Sequence, residues 1–274
     1  MTTPANSRRD VSRATRATLL TILGEAVVPE GRKVWQETLV SALGTTGTTI
    51  SAARQVVARA SRDDWLTSER VGRRALMSVT EDTRERLVVA RERVAAFGAP
   101  VEWDGRWLLI TFSVPEDRRD QRYKIRSQLA WLGFGSLGNG VWISPHVQHE
   151  DAAMRVLQSG PEPIEGLVFT AVPSHAHDPR QVVRTAWDLD DLRVRYLDFH
   201  RTFSGARPGK PGAVFAAWIQ LITEWRKFPG MDPELPDSLL PGKWPRQSAY
   251  EVFRSRHEEW TELALEYFRG LDGG

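Results

Sequence analysis

The chain of 274 residues contains no cysteine. That excludes disulfides, thiolate metal sites and cysteine nucleophiles, and it fits a reducing, cytoplasmic setting. Long apolar runs are also missing. The run around Leu108 to Val114 has the length of a strand, and none approaches the roughly 20 residues that span a bilayer. No membrane association is expected. The first ten residues are polar, carry Arg8 and Arg9 and have no apolar centre, so no signal peptide is read there. Neither a G-x-S-x-G elbow nor a P-loop occurs, which removes two common catalytic frameworks. Low-complexity tracts and fixed-period repeats are absent as well.

What is present is an ordinary globular composition, 41% hydrophobic and 26% charged, with eleven tryptophans. The length suits two or three domains at roughly 100–150 residues each. A net charge of +2 conceals an uneven distribution. Residues 1–80 hold twelve Lys/Arg against seven acids, a local +5, which leaves −3 for the remainder. A basic head on a mildly acidic body points to a polyanionic partner for the head.

Periodicity organises that head. Residues 1–12 read as a disordered arm. Leu19, Leu20, Ile22, Leu23, Ala26 and Val27 form a helical stripe that stops at Pro29-Glu30-Gly31. A second short helix is expected with Val34, Trp35, Leu39, Ala42 and Leu43 inward, ending at Gly44. Thr49 then caps a third helix from Ile50 to Arg62. At 100° per residue, Ala53, Val56, Val57 and Ala60 share one side of this helix. Ser51, Gln55 and Arg62 point the opposite way, with Arg54 and Arg59 on the flanks. Small core residues behind and donors in front are what a major-groove reading helix needs: glutamine pairs with adenine, arginine with guanine or phosphate. Two short strands follow around a turn bearing Arg70, Gly72, Arg73 and Arg74, a hairpin suited to lie along phosphates.

Beyond the head, 81–100 reads as a linker helix. Strands near 106–114, 141–144 and 167–172 alternate with helices near 118–132 and 152–157, a small α+β sandwich at 101–175. Helices at 187–203, 212–228 and 246–269 make a helical region over 184–270, interrupted by the proline-rich stretch 229–245. The run Gly133-Phe-Gly-Ser-Leu-Gly138 matches a dinucleotide fingerprint in letters only. A helix precedes it and a strand follows it, the reverse of the required order, so it is read as a tight connection. His146/His149 and His175/His177 have ligand-like spacing but sit in loops, and no metal is assigned.

These residues resemble the PaaX family of phenylacetate-degradation repressors. The resemblance is carried by Ser51-Ala-Ala-Arg-Gln-Val-Val-Ala-Arg-Ala60 and Asp64-Trp-Leu-Thr-Ser-Glu-Arg-Val-Gly-Arg-Arg74, and by Val34-Trp35. It continues through Trp103-Asp-Gly-Arg-Trp107, Leu132–Pro145, Asp232-Pro-Glu-Leu-Pro236 and Leu239-Leu-Pro-Gly-Lys-Trp-Pro245. Ala60 stands where the family usually has leucine, and Asp64 where glycine precedes the tryptophan. The resemblance implies an α+β chain: an N-terminal winged helix-turn-helix (13–80), a central ferredoxin-like domain serving as dimer scaffold, and a C-terminal helical domain. It also implies homodimers on palindromic double-stranded DNA operators, released by an aryl-CoA or other acyl-CoA thioester, with no cofactor and no catalysis. Thr49, Ser51, Arg54, Gln55, Arg59, Arg62, Arg70, Arg73 and Arg74 are the expected DNA-contacting residues. Arg195, His200, Arg201 and Trp218 are candidates for the effector. Two other classes remain open: a metal-dependent nucleic-acid enzyme delivered by its head, and a constitutive DNA binder without an effector.

Overall fold

The computed structural model describes residues 4–98, 102–160, 162–176 and 178–272, with side chains from residue 13 onward. His177 and residues 1–3 of the expected arm lie outside them. The fold divides into two compact units, one of Met1–Phe97, Phe199–Arg226 and Tyr250–Gly274, the other of Gly98–Asp198 and Lys227–Ala249.

The first unit opens with helix α1 (Pro4–Ile22), which continues into a π-helical turn at Leu23–Val27. Residues 4–12 are therefore helical rather than the arm expected from their polarity. Strand β1 (Val34–Trp35) follows, then α2 (Gln36–Thr45), α3 (Ile50–Arg62), and the antiparallel strands β2 (Leu66–Val71) and β3 (Arg74–Val79). Val34 and Trp35 were expected in the second helix. They pair instead with Met77 and Leu76 of β3, giving a three-stranded sheet of order β1-β3-β2. Helix α4 (Glu81–Ala96) comes next and buries Leu87. Helix α9 (Pro211–Trp225) and most of the long α10 (Arg246–Asp272) complete the unit. Its core is aromatic: Trp225 lies 4.8 Å from Phe253 in a stacked pair, and 5.2 Å and 5.7 Å from Phe199 and Phe97. Burial of each such side chain contributes about 1.5–3 kcal/mol.

The second unit is built on β4 (Trp107–Phe112), α5 (Arg119–Trp131), β5 (Gly135–Gly138), β6 (Val141–Ser144), α6 (Glu150–Gln158) and β7 (Gly166–Ala171). The sheet is antiparallel, ordered β5-β6-β4-β7. Leu108, Ile110 and Phe112 of β4 face Ile125, Leu129 and Leu157 of the two helices. Trp107 and Leu109 face a second cluster holding Val183, Leu235, Leu239 and Trp187. Burial on both faces is why this strand reads as a continuous apolar run. The glycine run, expected as a connection, is largely strand β5. A Cβ at Gly135 would lie 2.5 Å from the Trp187 ring, so only glycine permits that packing.

Helix α7 (Pro179–Ala186), which was not expected, is set off by an extended Trp187 from α8 (Asp190–Ser204), which begins three residues later than the helix expected over 187–203. Asp178 caps α7 by accepting from the Arg180 amide at 2.9 Å, with Pro179 at its first turn. The Asp232-Pro-Glu-Leu-Pro236 segment is held by a buried network. Tyr196 Oη donates to Asp232 Oδ2 at 2.5 Å, and Arg246 reaches Asp237 at 2.6 Å and the Leu235 carbonyl at 2.9 Å. Burial and the neighbouring carboxylate push the Tyr196 phenol well above its usual range, so it stays a donor.

His146 in this unit and His257 in the first both have pKa values pushed below the ordinary 6.5 by burial. The unfolded chain then binds more protons than the folded one below about pH 6.5, so stability falls as pH drops through that range. Denaturant unfolding at pH 5.0 is expected to show a lower midpoint than at pH 7.5. A His146→Gln, His257→Gln double variant should flatten that difference; an unchanged pH profile would refute the assignment.

Candidate nucleic-acid interface

Helix α3 begins where Thr49 Oγ1 accepts the Ala52 amide at 3.3 Å. Thr49 is thus committed as a cap. Ala53, Val56, Val57 and Ala60 are buried, as their spacing requires, and α3 packs on α1 and α2. Ser51, Arg54, Gln55, Arg59 and Arg62 are all exposed. Among the described residues, no hydrogen bond or ion pair holds the side chains of Arg54, Gln55, Arg59 or Arg62. An exposed helix face with three unpaired guanidiniums is equipped to meet phosphates and base edges.

The C-terminus of α3 explains the two departures from the family pattern. Trp65 N donates to Ala60 O at 2.8 Å, and Asp64 between them adopts φ +56. This is a Schellman closure, with Ala60 at its first position and Asp64 at the left-handed position that favours glycine. Asp is among the few other residues that tolerate that conformation. The negative charge of the Asp63-Asp64 pair is partly answered, because Arg16 lies 3.3 Å from Asp63. The same guanidinium sits 3.9 Å over the Trp65 ring. Arg16 had no signal in the sequence beyond its place on α1, because its partners lie some fifty residues away.

The hairpin sorts its arginines. Strands β2 and β3 pair through Val71↔Arg74, leaving a two-residue turn, Gly72-Arg73, with Gly72 at φ +62. That is the position a type II′ turn reserves for glycine. Arg73 is exposed at the tip. Arg70 folds back, its Nε donating to Gly72 O at 3.3 Å. Arg74 is half-buried, 4.2 Å over the Trp35 ring and 3.7 Å from Glu37. Among the described residues Arg73 has no internal partner and Arg70 keeps its remaining nitrogens, so of the three it is Arg74 that the fold takes up.

Helix α2, behind α3, starts at Trp35 with no side-chain cap of its own. The cap comes from the far end of the chain. Asp272 in the last turn of α10 accepts from the Trp35 amide at 3.2 Å and from Thr38 Oγ1 at 2.7 Å. Its other oxygen accepts from Arg32 at 3.1 Å. At the opposite end of α2, Tyr267 Oη lies 3.0 Å from Thr45 Oγ1. A carboxylate at a helix N-terminus satisfies free amides and opposes the helix dipole.

The four effector candidates are scattered. Trp218 is buried in the first unit, its indole donating to Thr261 at 3.1 Å. Arg195 is paired with Asp191 at 2.7 Å. His200 is half-buried and Arg201 exposed on α8. None lines the cavity of about 690 Å³ in the second unit, which is walled by Val183, Trp187, Leu189 and Leu239, with Arg180 and Arg184 and two acids, Asp188 and Asp190. Among the described residues there is no group of three potential metal ligands, and no helix is long and apolar enough to cross a membrane.

Asp272→Ala should lower unfolding free energy by about 1–3 kcal/mol, the loss expected when charged hydrogen bonds go and buried donors are orphaned. Amide exchange at Trp35–Leu39 should quicken in the same variant, while Asp272→Asn, which keeps an acceptor, should lose less. Unchanged exchange would remove the capping role.

Three family models match the chain in order: PaaX-like protein over residues 14–83, the PaaX protein central Cas2-like domain over 100–184, and the PaaX-like protein C-terminal domain over 187–270. The Transcriptional repressor PaaX of Escherichia coli K12 is 24% identical over 258 residues, covering 90% of this chain and 80% of that one. A solved structure of the uncharacterized protein Rv0674 from Mycobacterium tuberculosis superposes with a TM-score of 0.62 at 17% identity, covering 91% of this chain and 96% of its own. That likeness concerns the fold. With the three models laid end to end over nearly its whole length, the chain belongs to the PaaX family.

Proposed function

We propose that this chain is a sequence-specific DNA-binding transcriptional repressor that acts as a homodimer. The observation that carries the reading is the exposed, internally unpaired face of α3, set beside the Arg73-tipped hairpin. The relative named as a transcriptional repressor supports a regulatory role in preference to catalysis. We read the order α1-β1-α2-α3-β2-β3 as a winged helix-turn-helix, with α3 in the major groove and the hairpin as wing. The β-α-β-β-α-β connection of the second unit, with its β5-β6-β4-β7 sheet, is read as ferredoxin-like. Within this reading Gln55 addresses a base edge, Ser51 and Arg62 flank it, and Arg54, Arg59 and Arg73 meet phosphates.

Release by an acyl-CoA-type effector is the second part of the proposal. The 690 Å³ cavity supports it better than the four residues selected from sequence. Its apolar wall includes the half-buried Trp187, and Arg180 and Arg184 supply positive charge for an anionic group. Its volume falls within the roughly 300–1,000 Å³ of small-molecule sites. An effector acts by binding the DNA-incompetent state more tightly than the competent one.

Two variants test the DNA reading by contrast, in selection of binding sites from random duplexes and in salt titration. Gln55→Ala should relax base preference at one position per half-site, costing about 1–3 kcal/mol of discrimination there. Arg73→Ala should weaken all sequences alike and reduce the salt slope by about one unit. An unchanged site profile for the first would take Gln55 off the bases; an unchanged slope for the second would take the hairpin off the DNA.

A further inference from the structure

A second recess in the central unit lies at the end of the glycine run that the regulator reading leaves unused. It has a volume of about 340 Å³ and is bounded by the ends of β4 and β5, the start of β6 and the outer side of α5. Arg122 and Arg126 both line it, with Ser113, Ser136, Asn139 and Trp142, and no aspartate or glutamate lines it among the described residues. Two guanidiniums in one concavity without a carboxylate leave uncompensated positive charge, whereas several other arginines of this unit meet a carboxylate. Arg118 pairs with Glu162, Arg195 with Asp191 and Arg246 with Asp237.

The donors are free to serve a ligand. Arg126 is exposed and has no hydrogen-bond partner among the described residues; its guanidinium sits 6.0 Å from the Trp142 ring centroid. Arg122 spends Nη2 on the Val114 carbonyl at 2.8 Å and the Pro115 carbonyl at 3.2 Å, which holds the side chain in place. Its remaining nitrogens have no such partner. Ser136 Oγ accepts the Gly138 amide at 3.3 Å and keeps its own proton to donate. The amides of Asn139 and Gly140 donate to no described residue.

The positive φ values of Asn139 and Gly140 belong to the two-residue turn between β5 and β6, and that of Gly138 to the register shift just before it; they would occur without any ligand. A Cβ at Gly140 would run into the Phe112 carbonyl, which accounts for that glycine. The paired arginines are not explained by the turn. They need an anion.

We infer that this recess binds a small organic phosphate. Two guanidinium edges, two hydroxyls and an amide side chain exceed what the two oxygens of a carboxylate can use, and suit the three terminal oxygens of a phosphomonoester. Buried Phe112 and Trp142 give an apolar floor for the organic part. A recess of this size, near the lower bound of roughly 300 Å³ for ligand cavities, accommodates a compact ligand rather than a stretch of duplex backbone. The inference stands apart from the repressor reading and holds whether or not the chain binds DNA.

Calorimetric titration of the full chain with phenyl phosphate, inorganic phosphate and benzoate tests it. Phenyl phosphate should bind saturably and more tightly than the other two. Arg126→Gln should weaken it by about tenfold, the loss of one charge-assisted interaction. The melting temperature of the unliganded protein should stay unchanged, since Arg126 is exposed. Asn139→Gly, which the turn accommodates, should weaken binding severalfold as an independent check. Absence of saturation up to about 10 mM, or wild-type affinity in both variants, overturns the site. If Arg126→Gln leaves phenyl phosphate binding intact but lowers duplex DNA affinity and its salt slope, the recess is a backbone contact and the inference fails.

Discussion

The outer face of α3 is only as fixed as α2 behind it, and α2 starts without a cap of its own. Asp272 supplies that cap from the last turn of the chain. One carboxylate oxygen takes the Trp35 amide and the Thr38 hydroxyl; the other takes Arg32. Arg32 also reaches Glu30 at 2.7 Å, and Glu30 accepts from Arg269 at 2.9 Å, so the charges alternate from the end of α10 into the loop before β1. Tyr267, about one turn earlier on α10, meets the other end of α2. A helix held at both ends by a second helix can transmit a displacement of either. The first unit is therefore one body made from both ends of the chain.

That construction sets the limit of what the sequence discloses. Helix α3 was legible because its signals are local: a threonine cap, four small apolar residues at helical spacing, and polar residues opposite. The hairpin was legible for the same reason, through a glycine at a turn between two apolar segments. Strand β1 was not. Val34 and Trp35 fit a helical pattern as well as a strand, and only pairing with Met77 and Leu76 decides between them. Nor did spacing separate Arg73 from Arg74. The neighbours differ because Arg73 sits in the turn while Arg74 opens β3, where Trp35, brought in by β1, stacks under its guanidinium. The helical arm at residues 4–12 was missed because polarity without periodicity looks like disorder.

The central unit shows the same division between local and distant causes. The apolar run of β4 was readable as a strand, and burial on both faces explains its lack of alternation. The Asp232-Pro-Glu-Leu-Pro236 segment carried family resemblance but no mechanism until its partners were seen. Its aspartate is buried, accepts a short hydrogen bond from the Tyr196 hydroxyl, and lies 3.6 Å from Arg246. Such a network is costly to leave half-made, because each member is desolvated and depends on the others. A motif of this kind specifies packing. The effector candidates were chosen by residue type alone, and helix packing draws one of them, Trp218, into the core.

The two departures from the family pattern fall within one structural device. Ala60 and Asp64 are the first and left-handed positions of the Schellman closure that ends α3. In this motif an apolar contact usually joins the first position to the residue after the left-handed one, here Trp65. Alanine has little surface to offer that contact, and Trp65 is instead covered by the guanidinium of Arg16. Arg16 is also the cation that meets Asp63. A single side chain on α1 thus answers the smaller core residue and part of the added negative charge together. The compensation sits one helix away from the substitutions, out of reach of any local pattern. It leaves the arginines on the outer face of α3 without internal partners.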